Sequence, residues 1–423
     1  MVINNEIIKN LIKPEYNKED IENILFILNN HMTFDFRPLE NGLFPAVLES
    51  EQIEYTGYSY VWVRDNIHVA HAHYVSDKQD AAIKTLNSLM EYFYKHKHRF
   101  ENIINNSVDY NDPMERPHVR FDGNTLSEVN QKWSHAQNDA MGYFLWLFCK
   151  CAGDGFITVD DKAGHMLSLF AKYFDKIKFW QDEDSGHWEE VRKISASSIG
   201  PIVAGLEMLK QLRLDDSQVN ESFLEHLINM GKDSLNSILP FECRQTEPIK
   251  NRRYDAALLF LIYPLNILDA TMSDTILTDI IENLKGEYGI KRYIGDSYWA
   301  ADYKKNLSEN LRTADFSDNL EQRDALLKAG EEAQWCIFDP IISTIYGIRY
   351  TETKDDNFLK LQTYFFNRSL GQLTCENHSH GGMKCPESYY LEDGKYVTND
   401  IVPLLWTKAN LMLAINQMKK SLH

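Results

Sequence analysis

Basic charge is the scarce commodity in this chain of 423 residues: 44 lysines and arginines stand against 62 aspartates and glutamates, a formal balance of −18. Nucleic acids and anionic membranes call for basic patches, so neither is expected as a partner. Long apolar runs are also missing, and no segment reads as membrane-spanning. The chain has only 6 cysteines, Cys149, Cys151, Cys243, Cys336, Cys375 and Cys385, at irregular intervals. That usage suits reduced cytosolic thiols. The N-terminal stretch "MVINNEIIKNLIKPEYNKED" has no apolar core of signal-peptide type and carries early acids, so a cytoplasmic location is expected. No proline- or serine-rich linker divides the chain, which reads as one domain over residues 1–423 with a short helical segment at 1–41.

Strand signals are few, whereas helical periodicity is common. "NKEDIENILFILNNH" opens with acids and places Ile21, Ile24, Leu25 and Leu28 on one face. "DKQDAAIKTLNSLMEYFYKHKH" repeats the pattern and ends in basic residues, as the helix dipole favours. About thirteen such segments are expected along the chain. Some are two-faced. Others, such as "YDAALLFLIYPLNIL", are apolar almost all round and are expected to be buried. "LEQRDALLKAGEEAQW" also reads as a helix. Alternation of inner and outer helices suits a closed ring of helical hairpins, an all-α fold.

Between these helices lie loops dense in aromatic and charged residues: "SYVWVRDN", "NQKWSHAQND", "SGHWEEVRK", "KRYIGDSYW" and "MKCPESYY". In a helical ring they gather at one end, where loops on a rigid scaffold carry chemistry. The first of them sets Arg64 and Asp65 among aromatic and aliphatic neighbours. Such a pair is either a buried salt bridge or a grip on a polar ligand. "GHWEEVRK" puts Glu189 and Glu190 behind Trp188, and "KCPESYY" supplies Glu387 between Pro386 and two tyrosines. Hydrolysis of a glycosidic bond needs two carboxyl groups in different protonation states. An apolar or like-charged surrounding keeps one of them protonated near neutral pH, and Glu189 has both kinds of neighbour in Trp188 and Glu190. The segment "CENHSHGGMKC" gathers Cys375, His378, His380 and Cys385, but its spacing fits no common zinc pattern. It reads as a glycine-containing loop, and no metal is expected.

The order "GLFPA…WVRDN…W-x-x-x-Q-x-D…WEE…ASSIG…RY-x-x-D-x-Y…PES…PLLW", from about Gly42 to about Ala414, resembles glycoside hydrolase family 15, the glucoamylase family. It looks most like the branch shared with the regulatory α and β subunits of phosphorylase kinase. The resemblance implies an (α/α)6 barrel of six inner and six outer helices. It also implies inverting release of β-glucose from the non-reducing ends of α-glucans or maltooligosaccharides, without a cofactor. On the matching positions, Glu189 is the general acid, Glu387 the general base, and Glu190 a carboxylate that contacts the sugar. Arg64 and Asp65 hold the hydroxyls of the terminal glucose. Trp62, Trp133, Gln137, Asp139, Arg292 and Asp296 line the same pocket, with Trp188 beside the acid.

Two departures from the family pattern stand out. Gly295 occupies a position where glucoamylases commonly carry glutamate, which bears on linkage preference; isomaltose-, dextran- or trehalose-type substrates are the alternatives within the class. The residues before Gly42 are too few for the β-sandwich that precedes the barrel in many bacterial members. The competing expectation is a non-catalytic glucan-binding or regulatory module. Retention of both acids in "WEEVRK" favours the hydrolase.

Overall fold

The computed structural model describes residues 2–47, 59–214, 216–217, 219–247, 250–312, 321–328 and 330–422. Among them lie α1 (Glu6–Leu11), α2 (Lys18–Asn30), α3 (Val63–Val75), α4 (Gln79–Lys95), α5 (His98–Ile104) and α6 (Asn138–Gly153). Then come α7 (Asp161–Ile177), α8 (Ala196–Leu212), α9 (Glu221–Ile238), α10 (Leu259–Ile262) and α11 (Ala270–Asn283). The last are α12 (Tyr303–Asn306), α13 (Glu321–Asp324), α14 (Asp339–Thr353), α15 (Asp356–Gly371) and α16 (Leu405–Ser421).

Two kinds of helix follow from two kinds of sequence. α2, α4, α7, α9, α11 and α15 bury one stripe and leave the other face in water. In α2 the buried stripe is Ile21, Ile24 and Leu28, and an Asn17–Asp20 capping box starts the helix. α3, α6, α8 and α16 are buried on nearly every side. Contacts run from α3 to α6, α8, α10, α14, α16 and back to α3, so the inner helices close a ring. The outer helices pack on it as α2 on α16, α4 on α3, α9 on α8, α11 on α10 and α15 on α14. α7 reaches α6 through ring contacts such as Phe144–Phe170, 5.4 Å between centroids. This is the (α/α)6 barrel. α2, which lies within the short N-terminal segment at 1–41, supplies its sixth outer helix.

Two antiparallel three-stranded sheets sit among the loops. The first pairs β1 (Val61–Trp62), β2 (Arg120–Asp122) and β3 (Ser127–Glu128); the second pairs β4 (Gln334–Trp335), β5 (Ser388–Glu392) and β6 (Lys395–Thr398). Their register has consequences for the site: Trp62 lies opposite Arg120, and Trp335 opposite Ser388, next to Glu387.

Two helices are shorter than their patterns suggest. The apolar run at 254–268 forms only a 3-10 turn, Ala256–Leu258, and the single turn α10. Pro264 disfavours helical geometry at Tyr263, and the helix stops at Ile262. The run at 320–335, of which Leu320 and Ala329 lie outside the described residues, is helical only at α13. Its end is taken into a sheet instead: Gln334 and Trp335 pair with Tyr389 and Ser388, and Trp335 bridges Ile290.

The inner ring is tight where α6 meets α8. A Cβ built on Gly142 lies 2.4 Å from Ile202 N and 2.5 Å from Pro201 C, backbone atoms that have no rotamer to move to. Gly142→Ala is expected to destabilise the fold by about 1–3 kcal/mol, as overpacking does. A thermal melt matching the wild type would show that the two helices part freely.

Candidate active site

The segments that feed the inner helices bring the charged loops together. Arg64 and Asp65 occupy the first turn of α3, and Asp139 the first turn of α6. Acids are favoured there by the positive end of the helix dipole. Neighbouring residues on a helix point in different directions, and Arg64 does not pair with Asp65. Its Nε donates to Asp139 Oδ2 at 2.5 Å. Nη2 donates to Gln137 Oε1 at 2.7 Å and to the Gly186 carbonyl at 3.1 Å. Only Nη1 is left, directed at Glu189 Oε1 across 3.5 Å. Arg64 and Asp139 are both buried. His187 Nδ1 lies 3.4 Å from Asp139, but burial pushes its pKa down to about 4 and it stays neutral at pH 7. The charge of Asp139 is therefore matched by Arg64.

Gly186–Trp188 is a 3-10 turn, and Glu189 closes it with φ of +58°, in the left-handed region. That reversal sends Glu189 and Glu190 to opposite fates. The Glu189 side chain keeps 21% of its surface exposed. Burial is the main force raising its pKa to about 7; Arg64 and Arg120 oppose it, and the charges of Asp65 and Asp139 add to it. Asp65 is itself raised to about 6 by burial, against the pull of Arg64. Glu190 is buried and accepts from Tyr293 Oη, Arg252 Nη2 (2.8 Å) and Lys193 Nζ (2.9 Å). Although burial works the other way, Arg252 and Lys193 hold its pKa well below the usual carboxylate range. The like-charged neighbours that favour a proton on Glu189 are thus Asp65 and Asp139, and not the adjacent Glu190.

Aromatic rings surround these groups. Trp62 and Trp133 meet edge to face at 5.5 Å, and Arg120 stacks 3.7 Å over Trp133. Arg292 grips Asp296 through two bonds of 2.6 Å. Its guanidinium lies 4.9 Å from the centroid of Trp188 and 4.8 Å from that of Trp335. Trp335 is the link to Glu387: it stands 5.9 Å from Trp188 and pairs through β4 with Ser388. The Glu387 carbonyl accepts from Cys336 N, and its carboxyl oxygen Oε2 accepts from Asn399 Nδ2 at 2.5 Å. Glu387 is thus connected to Trp188, the residue before Glu189, through Trp335.

All twelve residues singled out in the sequence sit in this connected cluster. Their placements differ from the simple expectation of a lined pocket. Gln137 and Asp139 lie behind Arg64 and fix its orientation, and Glu190 is tied to cations. Arg252, Asp255, His187, Tyr293 and Asn399 complete the cluster and were not legible as site residues. Asp255 had one faint signal, an acid directly before an apolar run, where a cap belongs. Among the described residues no group of three or more His, Cys, Asp or Glu side chains is gathered as a metal site. In the Cys375–Cys385 loop, His378 pairs with Thr398 and Cys385 is buried. No helix among the described residues is long and apolar enough to cross a membrane.

Removing Asp139 strands a buried guanidinium. Asp139→Ala is expected to cost about 3–5 kcal/mol in urea unfolding. A loss below about 1 kcal/mol, the range of an exposed ion pair, would mean that Arg64 is not anchored there.

Comparison with known proteins agrees with this architecture. The chain is 29% identical over 206 residues to the uncharacterized lipoprotein YgeQ of Escherichia coli K12, covering 44% of this chain and 78% of that protein. It is 27% identical over 195 residues to the liver-isoform regulatory subunit alpha of phosphorylase b kinase from Oryctolagus cuniculus, 43% of this chain but only 15% of that subunit. Among solved structures, a wild-type glycosidase superposes with a TM-score of 0.67 at 14% identity, covering 96% of this chain and 100% of that one. The glucoamylase of Saccharomycopsis fibuligera gives 0.60 at 12% identity, with 97% of each chain covered. The family model described as glycosyl hydrolases family 15 matches residues 32–370, which include Arg64, Glu189 and Arg292 and end before Glu387. On that match, carried over most of its length, the chain belongs to glycoside hydrolase family 15.

Proposed function

We propose that this protein is an inverting, exo-acting α-glucosidase of glucoamylase type, with Glu189 as general acid and Glu387 as general base. The observation that carries this reading is the setting of Glu189, a largely buried carboxyl with one long polar contact, Arg64 Nη1 at 3.5 Å. Burial brings its pKa to about 7, so it is protonated below neutrality while remaining partly open to solvent. A group poised there both holds a proton and releases it readily, as general-acid catalysis requires. A second carboxyl, Glu387, is connected to Trp188 through Trp335, and Asn399 orients one of its oxygens.

The remaining residues suit a subsite for one terminal glucose. Arg64 spends Nε and Nη2 on Asp139, Gln137 and Gly186, which leaves Nη1 for a sugar hydroxyl. The aromatic rings offer apolar walls to a pyranose face. In the reaction, Glu387 takes a proton from water as that water attacks the anomeric carbon. Glu189 protonates the departing glycosidic oxygen on the other face. One displacement turns an α-linkage into β-glucose. Glucose from α-1,4 oligosaccharides is the favoured product; isomaltose-, dextran- and trehalose-type bonds are the alternatives raised by Gly295. The match to a kinase regulatory subunit favours a second reading, a non-catalytic regulatory module.

Early proton NMR spectra of a maltooligosaccharide digest decide between them. The β-anomer of glucose is expected first, and the α-anomer later by mutarotation. Glu189→Gln should lower kcat by about 10²- to 10⁴-fold. The substituted protein should also fold well. The folded wild type keeps the Glu189 proton up to about pH 7 while an unfolded chain loses it near 4.5, so this group's contribution to stability falls as pH rises through that window. Glutamine escapes that loss, and the melting temperature at pH 8 should be no lower than the wild type's. Glucose appearing first as the α-anomer would refute inversion, and absence of glucose from every α-glucoside would favour the regulatory reading.

A further inference from the structure

Glu189 sits on a costly backbone. A non-glycine residue in the left-handed region gives up roughly 1–2 kcal/mol. Its own side chain does little to fix its direction: among the described residues its one polar contact is Arg64 Nη1, at 3.5 Å. The two residues beside it are held far more firmly. The Trp188 indole Nε1 donates to Asp255 at 3.0 Å (Oδ1) and 3.2 Å (Oδ2). Glu190 accepts from Arg252 Nη2 at 2.8 Å, and the other arm of the same guanidinium, Nη1, donates to Asp255 Oδ2 at 2.8 Å. Both neighbours of the acid are thus tied to a single carboxylate.

We propose that Asp255 is the positioning residue for Glu189: through the indole of Trp188 and the guanidinium of Arg252 it brackets the acid on both sides and sets the direction in which its proton is delivered. This rests on the reading of Glu189 as the general acid. Asp255 is built for the task. It is fully buried, and its Oδ1 also accepts from Ala257 N at 2.9 Å, which fixes it to the turn that opens α10. Every one of these contacts is a donor to Asp255, and one of them is the Arg252 cation, which favours its ionised form. Burial raises the pKa of this carboxyl and that of Glu242, the latter to about 8, and the charge of Asp255 adds to the rise on Glu242.

The test compares wild type, Asp255→Ala, Trp188→Phe and the double variant on a maltooligosaccharide. Asp255→Ala should lower kcat about 100-fold, the scale of a misplaced catalytic group, with KM changed by less than about threefold. The alkaline limb of kcat/KM should move with it. Trp188→Phe keeps a ring but loses the N–H, and should reproduce most of the loss. The double variant should be no worse than Asp255→Ala, because both changes cut one link. Asp255→Asn retains an oxygen for the indole and should recover most of the lost kcat. Additive losses, or wild-type kcat in Trp188→Phe, would overturn the proposal; where Asp255→Ala does not fold, Trp188→Phe alone decides. If wild type releases no glucose, the functional reading falls, and the Trp188 indole N–H resonance still tests the bracket. That signal must shift in Asp255→Asn, and an unshifted signal would overturn the bracket.

Discussion

A guanidinium taken out of water must find partners for its charge and its donors, and Arg64 finds them in Asp139, Gln137 and a backbone carbonyl. That constraint ties the first turn of α3 to the first turn of α6 and to the 3-10 turn that delivers Glu189. It also decides which face of the arginine remains available. With three sides spent on protein, only Nη1 points toward the partly exposed acid. A buried pair of this kind is weak as a source of stability and strong as a source of orientation.

The barrel supplies what the pair requires. The inner helices, most of them buried on nearly every side, pack against each other and surround the charged residues of their leading turns. In that low-dielectric setting a carboxyl resists ionising unless a cation or several donors reward it. Glu189 and Glu190 are neighbours in sequence and both largely removed from water, yet end in opposite states. Glu190 has Arg252, Lys193 and Tyr293; Glu189 has one long contact with Arg64 and two nearby acids. Separating two carboxyls in this way is the usual route to an acid that works near neutral pH. The turn that separates them is the left-handed backbone at Glu189.

Much of the helical frame was legible, because amphipathic periodicity is a local signal. The failures came where distant partners overrule local preference. The 320–335 run has helical composition, but the edge of β5 captures Gln334 and Trp335. The apolar run ending in "LIYPLNIL" looks like a long buried helix, and Pro264 limits it to one turn. Strands of two residues leave no periodicity to read. In the site, the motif residues were visible as clusters of charge and aromatics, but their partners were not. Nothing in the spacing of residues 64 and 139 announces a salt bridge. Arg64 looked paired with Asp65 because they are adjacent, whereas helix geometry turns adjacent side chains apart. Asp255, Arg252 and Tyr293 act through folded contacts with Trp188 and Glu190, and only the fold displays those contacts.

The central claim is that the fold keeps a proton on Glu189 up to neutrality. Carbon-13 labelling of glutamate carboxyls, with the Glu189 signal assigned by its loss in Glu189→Gln, measures this in the resting protein. Half-ionisation near pH 7 is the expected result. A midpoint at the ordinary glutamate value, about 4.3, would show that the site does not hold the proton and would contradict the assignment of Glu189 as the acid.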